Sequence, residues 1–494
     1  MTDTPVDLDA PLNGDDLLRA AGPLVVRVGP AARDRVERGR EHLRTVLADD
    51  DRPVYGAKTG FGALVGFAGR ADEADQCDNT LAHLGAGQGP DLPADVVRAA
   101  LLVRARSLAQ GVSGVSAHVV DGLAAMFATT FVPAVPRYGS VGASGDLIPL
   151  AYATQALRGR GHAYVDGVRL PADEALSRVG LTPLTLDGRD ALALVNGTSV
   201  TTAATALALS RVRAAHRAIQ DLTCVLVDVL GADPGFLDPR LIAAYGHAGA
   251  VAVADRMRAA LDGTVPSGAR ALQEPYSIRC SPQLLGAAED ALRYVDGVVA
   301  ADLRGVSDNP LFFPGDDVVA HGGNFFGQPA AFAADVLAMV TASLGNLAER
   351  QLDLLVDPVR NTGLPPMLAA GPGQQHGLQG VQLATTAFLV EIRRATLPAS
   401  TQSLPTNLHN QDVVPFGTQA ALRAYDIADL LWLLCGSLAL GLRQAIHVGG
   451  RRPTAPACAA LLDTLCDRIP PIDPDRPLDA DVRLAAVLVT GVSR

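Results

Sequence analysis

TSVTTAATALALSRVRAAHRAIQDLTCVLVDVL, residues Thr198–Leu230, is a long Ala/Leu/Val stretch with few helix breakers. Its apolar side chains recur at steps of three and four, the spacing that keeps one face of an α-helix apolar. Phe326–Val356, Leu378–Leu397 and Thr418–Val448 have the same texture. Several helices above average length predict an all-α fold built on a central helical bundle.

Composition agrees. Of 494 residues 48% are hydrophobic but only 4% aromatic, with Ala and Leu dominant. Such a chain packs helices closely, and its length allows about two to four domain-sized units. The predicted organisation is an N-terminal arm over 1–20, a loop-rich N-terminal domain over 21–197, and the bundle with C-terminal helices over 198–494. Polar loops interrupt the bundle at Gln273–Gln283, Ser307–Gln328 and Thr406–Gly417, and the Pro-rich segment Ile469–Pro477 is expected to cap it. A net charge of -11 argues against nucleic acid as a partner, since that surface repels phosphates. The six cysteines form no CxxC pair, so neither a zinc site nor a redox motif is expected. Met1–Asp16 lacks the basic and apolar regions of a signal peptide, and Leu430–Leu442 is too short for a membrane span. A cytoplasmic protein with no membrane partner and no metal is the expectation.

Gly139-Ser140-Val141-Gly142-Ala143-Ser144-Gly145-Asp146-Leu147 carries the chemistry. It lacks the Lys and Ser/Thr of a phosphate loop, and it does not keep the spacing of a serine nucleophile elbow. A Gly/Ser turn before a helix is the bland reading. A third reading is chemical. In a strained loop the Gly145 nitrogen can attack the Ala143 carbonyl, because glycine has no Cβ to block the approach. Loss of water closes a five-membered ring, and dehydration of Ser144 leaves an exocyclic methylene. The product, 4-methylidene-imidazole-5-one, is an electrophile that no ordinary side chain supplies.

The surroundings give that reading its weight. Gly142–Leu147 followed by Pro149-Leu150-Ala151 resembles the aromatic amino acid ammonia-lyase and aminomutase family, whose members act on His, Phe or Tyr. Tyr55-Gly56-Ala57-Lys58-Thr59-Gly60-Phe61-Gly62 is similar to the family's tyrosine loop, and Asn196-Gly197-Thr198 to its Asn-Gly-Thr motif. Tyr276-Ser277-Ile278-Arg279, Ser307-Asp308-Asn309-Pro310, Gly322-Gly323-Asn324-Phe325 and Asn410-Gln411-Asp412 match four more motifs in family order. The resemblance implies a mainly helical homotetramer, active sites built by more than one subunit, and a cofactor made from Ala143, Ser144 and Gly145 with no external one.

The same resemblance assigns roles. Tyr55 is the expected base for the β-proton. An unperturbed phenol titrates near ~10, so the site must lower that value, with Arg279 as a candidate neighbour. Arg279 is expected to clamp the substrate carboxylate through its guanidinium fork. Tyr276, three residues earlier, shares its face if the segment is helical, and is placed to exchange a proton. Asn196 is expected to hydrogen-bond the imidazolone oxygen, Asn309 the substrate carboxylate or Arg279, and Phe325 to pack on a ring. Gln411 stands where histidine-specific members usually carry Glu. His83-Leu84 resembles the selectivity pair of tyrosine-acting members, with His83 able to meet a phenol. L-Tyrosine, converted to trans-p-coumarate and ammonia, is therefore the expected substrate. A tyrosine or phenylalanine 2,3-aminomutase is the first alternative, phenylalanine or histidine ammonia-lyases the next, and a binding protein whose loop never cyclises the last. Lys58, the sole lysine, Gln375-His376 and Pro415 depart from the family pattern, and Lys58 either braces its loop or tunes Tyr55.

Overall fold

The computed structural model describes residues 4–49, 52 and 54–492. It is 58% helix and 7% strand, an all-α architecture. Four helices dominate: Ser199–Leu230, Ser281–Arg304, Gln328–Val356 and Gly417–His447. In the first, Ala204, Leu207, Ala208, Val212, Ala215, Ile219, Leu222 and Leu226 are buried, which is the predicted three- and four-residue rhythm made physical. Its threonines do not break it, because Thr205 and Thr223 return their hydroxyls to the carbonyls of Thr201 and Ile219 one turn back. Leu430–Leu442 lies inside Gly417–His447. That helix and Gln328–Val356 are long and apolar enough to cross a membrane by length and composition, and 78% and 72% of their apolar windows are buried by protein.

The chain packs into two compact units. One is Met1–Leu207, Asp296–Asp335 and Pro398–Leu422; the other is Ala208–Val295, Val336–Leu397 and Arg423–Arg494. The N-terminal unit thus runs ten residues past the expected end at Gly197 and gathers two loop-bearing segments from later in the chain. All the loops that line the cavity described below belong to it.

Residues 4–20, within the expected N-terminal arm, are tied down. Val6–Asp7 pairs in parallel with Val26–Arg27, and Gly14–Arg19 is a helix opened by a reciprocal cap between Asn13 and Asp16. Leu8 and Leu17 are fully buried. Asp16 thus serves as a cap group, and Leu8 and Leu17 are anchors. Behind them buried Arg98 donates to the carbonyls of Ala20, Gly22, Phe127, Thr129 and Phe131 at 2.6–3.1 Å, so one guanidinium satisfies backbone that would otherwise be stranded.

A small hairpin, Leu311–Phe313 with Val318–Ala320, rises from the expected loop Ser307–Gln328. Its register, Leu311 opposite Ala320, carries on to set Asn309 beside Gly322, whose N–H donates to Asn309 Oδ1 at 2.7 Å. In the second unit, Ile469–Pro477 closes on Gly417–His447. Gln444 donates to the Ile472 carbonyl and accepts its N–H, and Arg443 donates to the Ile469 carbonyl.

Candidate active site

The cofactor-forming loop bends back on itself, so that Gly142 and Ala143 both pair with Gly145. Gly142 and Gly145 have φ of +68° and +70°, a region open to glycine and costly to other residues. Space is equally short: a Cβ on Gly145 would lie 2.3 Å from the Gly197 carbonyl oxygen. The loop is anchored from behind by Asp146. Its N–H donates to the Gly197 carbonyl at 2.7 Å. Its fully buried carboxylate accepts from Ser140 Oγ (3.0 Å), Thr418 Oγ1 (2.6 Å), Thr201 Oγ1 (3.0 Å) and the Thr201 N–H (2.9 Å). Burial drives the Asp146 carboxyl above the usual range, and those four donors pull it back. The Thr201 N–H lies in the first turn of Ser199–Leu230, so the carboxylate also complements that helix's N-terminus.

In front of the loop lies a cavity of roughly 1130 Å³. Nine of the twelve residues expected in the site line it. They are Ala143, Ser144, Asn196, Asn309, Tyr55, His83, Leu84, Phe325 and Gln411. Gly145 sits in the loop behind them. Gln411 accepts from Thr406 Oγ1 at 2.5 Å, which fixes its amide, and donates to Ser144 Oγ at 2.9 Å. Asn407, Leu408 and His409 ahead of it all have positive φ, a strained turn of the kind that clusters at functional loops.

Tyr55 opens a loop stabilised by its own hydroxyl, which accepts the Gly62 N–H at 2.9 Å. Burial raises its phenol above the ordinary value, and the Gly62 contact only partly offsets this. The Tyr55 N–H donates to His321 Nε2 at 3.4 Å. Burial and nearby Arg189 hold His321 below the usual imidazole range, which keeps that acceptor neutral. Phe61 joins Tyr55 edge-on (6.1 Å) and stacks on His83 (5.7 Å, 21°). Lys58 turns away from this chemistry and donates to the Asp49 carbonyl at 2.6 Å.

His83 ends the helix Glu73–His83. Its Nδ1 lies 3.0 Å from the Asn79 carbonyl. A carbonyl can only accept, so Nδ1 carries the proton, and in the neutral ring Nε2 is then an acceptor. Asn196 donates from Nδ2 to the Asn309 carbonyl at 2.9 Å, and its buried Oδ1 meets no protein donor among the described residues. Asn309 is set by a group the sequence reading missed. Arg189 grips Asp308 through two bonds of 2.7 and 2.8 Å, with both side chains fully buried, and also donates to the Asn309 carbonyl at 2.5 Å. The Asp of Ser307-Asp308-Asn309-Pro310 was the available signal.

Tyr276 and Arg279 are not among the cavity's lining residues. They lie in the second unit on the short helix Tyr276–Arg279, where the Arg279 guanidinium sits 4.6 Å from the centre of the Tyr276 ring. Tyr276 is 71% exposed. Among described residues, Arg70 is the one Arg or Lys that lines the cavity, and Asp412 the one carboxylate. No cluster of His, Cys, Asp or Glu fit to hold a metal occurs among the described residues.

The sequence model of the aromatic amino acid lyase family matches residues 12–467. The chain belongs to that family. It is 39% identical over 492 residues to a histidine ammonia-lyase of Symbiobacterium thermophilum, covering 98% of this chain and 96% of that one. It is equally 39% identical over 492 residues to a tyrosine ammonia-lyase of Cereibacter sphaeroides, covering 94% of each. Among solved structures, a tyrosine aminomutase from Streptomyces globisporus superimposes with a TM-score of 0.92 at 30% identity, over 99% of this chain and 97% of that one. The activity of this aromatic amino acid lyase is accordingly that of an ammonia-lyase or aminomutase acting on an aromatic amino acid.

The residues present fit the cofactor that the family resemblance implies. Gly145 has the φ and the missing Cβ that ring closure needs, its backbone already pairs with Ala143, and Ser144 faces the cavity.

Proposed function

We propose that this chain is a tyrosine ammonia-lyase, which converts L-tyrosine to trans-p-coumarate and ammonia. The observation that carries the substrate is His83. Its Nδ1 is occupied by the Asn79 carbonyl, and the ring lines the cavity with Nε2 as an acceptor. A phenol O–H is the complementary donor. Phenylalanine offers none, and it would leave that acceptor without a partner.

The methylidene-imidazolone formed from Ala143-Ser144-Gly145 supplies an electrophile for the substrate amine. Tyr55 lines the same cavity and takes the β-proton on its phenolic oxygen. Asn196, which lines the cavity and spends one amide hydrogen on the Asn309 carbonyl, is assigned to hydrogen-bond the imidazolone oxygen, and Phe325 packs on the substrate. Gln411, whose amide donates to Ser144 Oγ before the loop cyclises, puts a neutral group where a Glu would face an uncharged aromatic ring. Arg279 binds the substrate carboxylate, and with Tyr276 it reaches the cavity of a neighbouring subunit in a homotetramer. The exposure of Tyr276 and its absence from this chain's own cavity support that arrangement. A cytoplasmic location accords with six free thiols.

The test is to incubate the purified chain separately with L-tyrosine, L-phenylalanine and L-histidine and to separate the products. p-Coumarate from tyrosine at the highest kcat/KM supports the reading. Preferential cinnamate or urocanate refutes the tyrosine assignment, and β-tyrosine as the main product makes the enzyme an aminomutase.

A further inference from the structure

Arg104 is fully buried in the helix Ala94–Leu108 and takes no part in the chemistry proposed above. Its Nη1 donates to the Ser307 carbonyl at 2.7 Å, and neither Nε nor Nη2 meets an acceptor among the described residues. The nearby carboxylate, Asp308, is engaged through both oxygens by Arg189. Arg104 is therefore buried without a carboxylate bonded to it among the described residues. Burial pushes the Arg104 guanidinium down to about 10, with Asp308 opposing and Arg189 adding to the shift. A cation held this way is costly, and replacement by an apolar residue of similar volume is often neutral or stabilising for a fold. Fold stability alone is a poor account of it.

Its position supplies a better one. A Cβ on Gly197 would fall 1.9 Å from Arg104 Nη1, so the guanidinium lies directly against that glycine. A Cβ on Gly145 would in turn fall 2.3–2.6 Å from the carbonyl oxygen, carbonyl carbon and nitrogen of Gly197. Arg104, Gly197 and Gly145 are thus stacked in direct succession, and the Asp146 N–H to Gly197 carbonyl bond locks the last two together. The Ser307 carbonyl that Arg104 holds belongs to the segment whose hydroxyl accepts the Thr198 N–H at 2.8 Å. One side chain therefore fixes both sides of the Gly197 peptide.

We propose that Arg104 is a positioning residue for cofactor formation: it holds the Gly197 peptide as a rigid floor that keeps the Gly145 nitrogen pressed toward the Ala143 carbonyl carbon. In the step it serves, a bond forms between the Gly145 nitrogen and that carbon. The Ala143 oxygen leaves as water with the amide protons of Ser144 and Gly145, and a double bond forms from the Ala143 carbon to the Ser144 nitrogen. Ser144 then loses its hydroxyl and its α-proton as a second water. No oxidant or outside reactant is needed. The inference rests on the proposed self-made cofactor, and its test separates the two.

The test uses full-length Arg104→Met and Arg104→Lys, each purified as folded protein by size exclusion and checked by thermal melting. The readout is the intact mass, which reports ring closure without any assay of turnover. Wild type should fall short of the translated chain by about two waters. The folded Arg104→Met protein should carry that shortfall in about one-tenth of its molecules or fewer. Arg104→Lys keeps a donor for Ser307 but loses the planar fork against Gly197, and should close partially or slowly. A folded Arg104→Met protein with the full shortfall overturns the proposal and leaves the cofactor reading intact. Wild type without the shortfall overturns both. Loss of the fold in both variants makes Arg104 a core residue and also overturns it.

Discussion

Replacing His83 by Phe and comparing tyrosine with phenylalanine isolates the part played by the substrate hydroxyl. The ring stack with Phe61, 5.7 Å between centroids at 21°, can be kept by a phenyl group, so the wall of the cavity survives. What is lost is the Nε2 acceptor, together with the Nδ1 bond to the Asn79 carbonyl, whose loss bears on both substrates alike. A net hydrogen bond contributes about 0.5–1.5 kcal/mol, and a polar group left unpaired costs about 1–3 kcal/mol when buried. His83 is open to the cavity rather than sealed in the core, so the lower figures apply, about 1–2 kcal/mol in all. That is between about fivefold and thirtyfold. His83→Phe should lower kcat/KM for tyrosine and raise it for phenylalanine, shifting their ratio by that factor. The assay measures both substrates in wild type and variant, with intact mass to confirm that the cofactor still forms. If His83 only ties off its helix through the Asn79 carbonyl, both substrates lose the same factor. An unchanged ratio therefore refutes the recognition argument.

Ser144→Ala should leave a folded protein that loses at most the one water of ring closure and whose turnover is down by far more than tenfold, a decade being only ~1.4 kcal/mol of barrier; activity within a decade of wild type contradicts the role of Ser144. Tyr55→Phe should preserve substrate affinity and collapse kcat. Burial raises the Tyr55 phenol, so the basic form grows only as pH rises, and the wild-type rate should climb on the alkaline side in a limb that the variant lacks; a change confined to KM removes Tyr55 as the base. Arg279→Gln should weaken tyrosine binding much more than Arg70→Gln, and the reverse order assigns the carboxylate to the cation already lining the cavity. Asp308→Ala leaves Arg189 buried without its carboxylate and should cost about 3–5 kcal/mol, read as a large drop in melting temperature; a shift of a degree or two would show that the pair contributes little.

The long helices were legible because length and apolar period are local properties. Phe326–Val356, Leu378–Leu397 and Thr418–Val448 were read within three residues of Gln328–Val356, Gln379–Arg394 and Gly417–His447. Ser281–Arg304 escaped notice, since Gly286 and Gly297 interrupt a helix whose exposed face is charged. The hairpin Leu311–Phe313/Val318–Ala320 has a Pro-Gly-Asp-Asp turn that names it, but three-residue strands are shorter than any period can reveal. The residues around the cavity were found by motif order rather than by local physics. Their supports were invisible to that reading for a simple reason. Thr418 reaches Asp146 across 272 positions and Arg189 reaches Asp308 across 119. No window along a sequence contains both partners.

The electrostatics of the cavity also separate what one chain can do from what the reaction needs. The proposed ring closure would draw on elements of one unit of one chain: the Gly145 turn, the Gly197 peptide against it and the Asp146 anchor. Proton abstraction needs more. A phenol raised by burial, with a single backbone N–H as its compensation, is a weak base near neutral pH. An opposite charge nearby, or release of its proton to a stronger acceptor, is what lowers such a group. The chain offers Arg70 on the cavity wall and keeps Arg279 outside it, stacked on an exposed tyrosine. A substrate amine and carboxylate entering the cavity also change its charge, and a clamp on the carboxylate leaves the phenol facing net positive groups. On the proposed reading, in which Arg279 reaches the cavity of a neighbouring subunit, the base is completed only in the assembly, and cofactor formation within one chain and turnover become separable demands on this sequence.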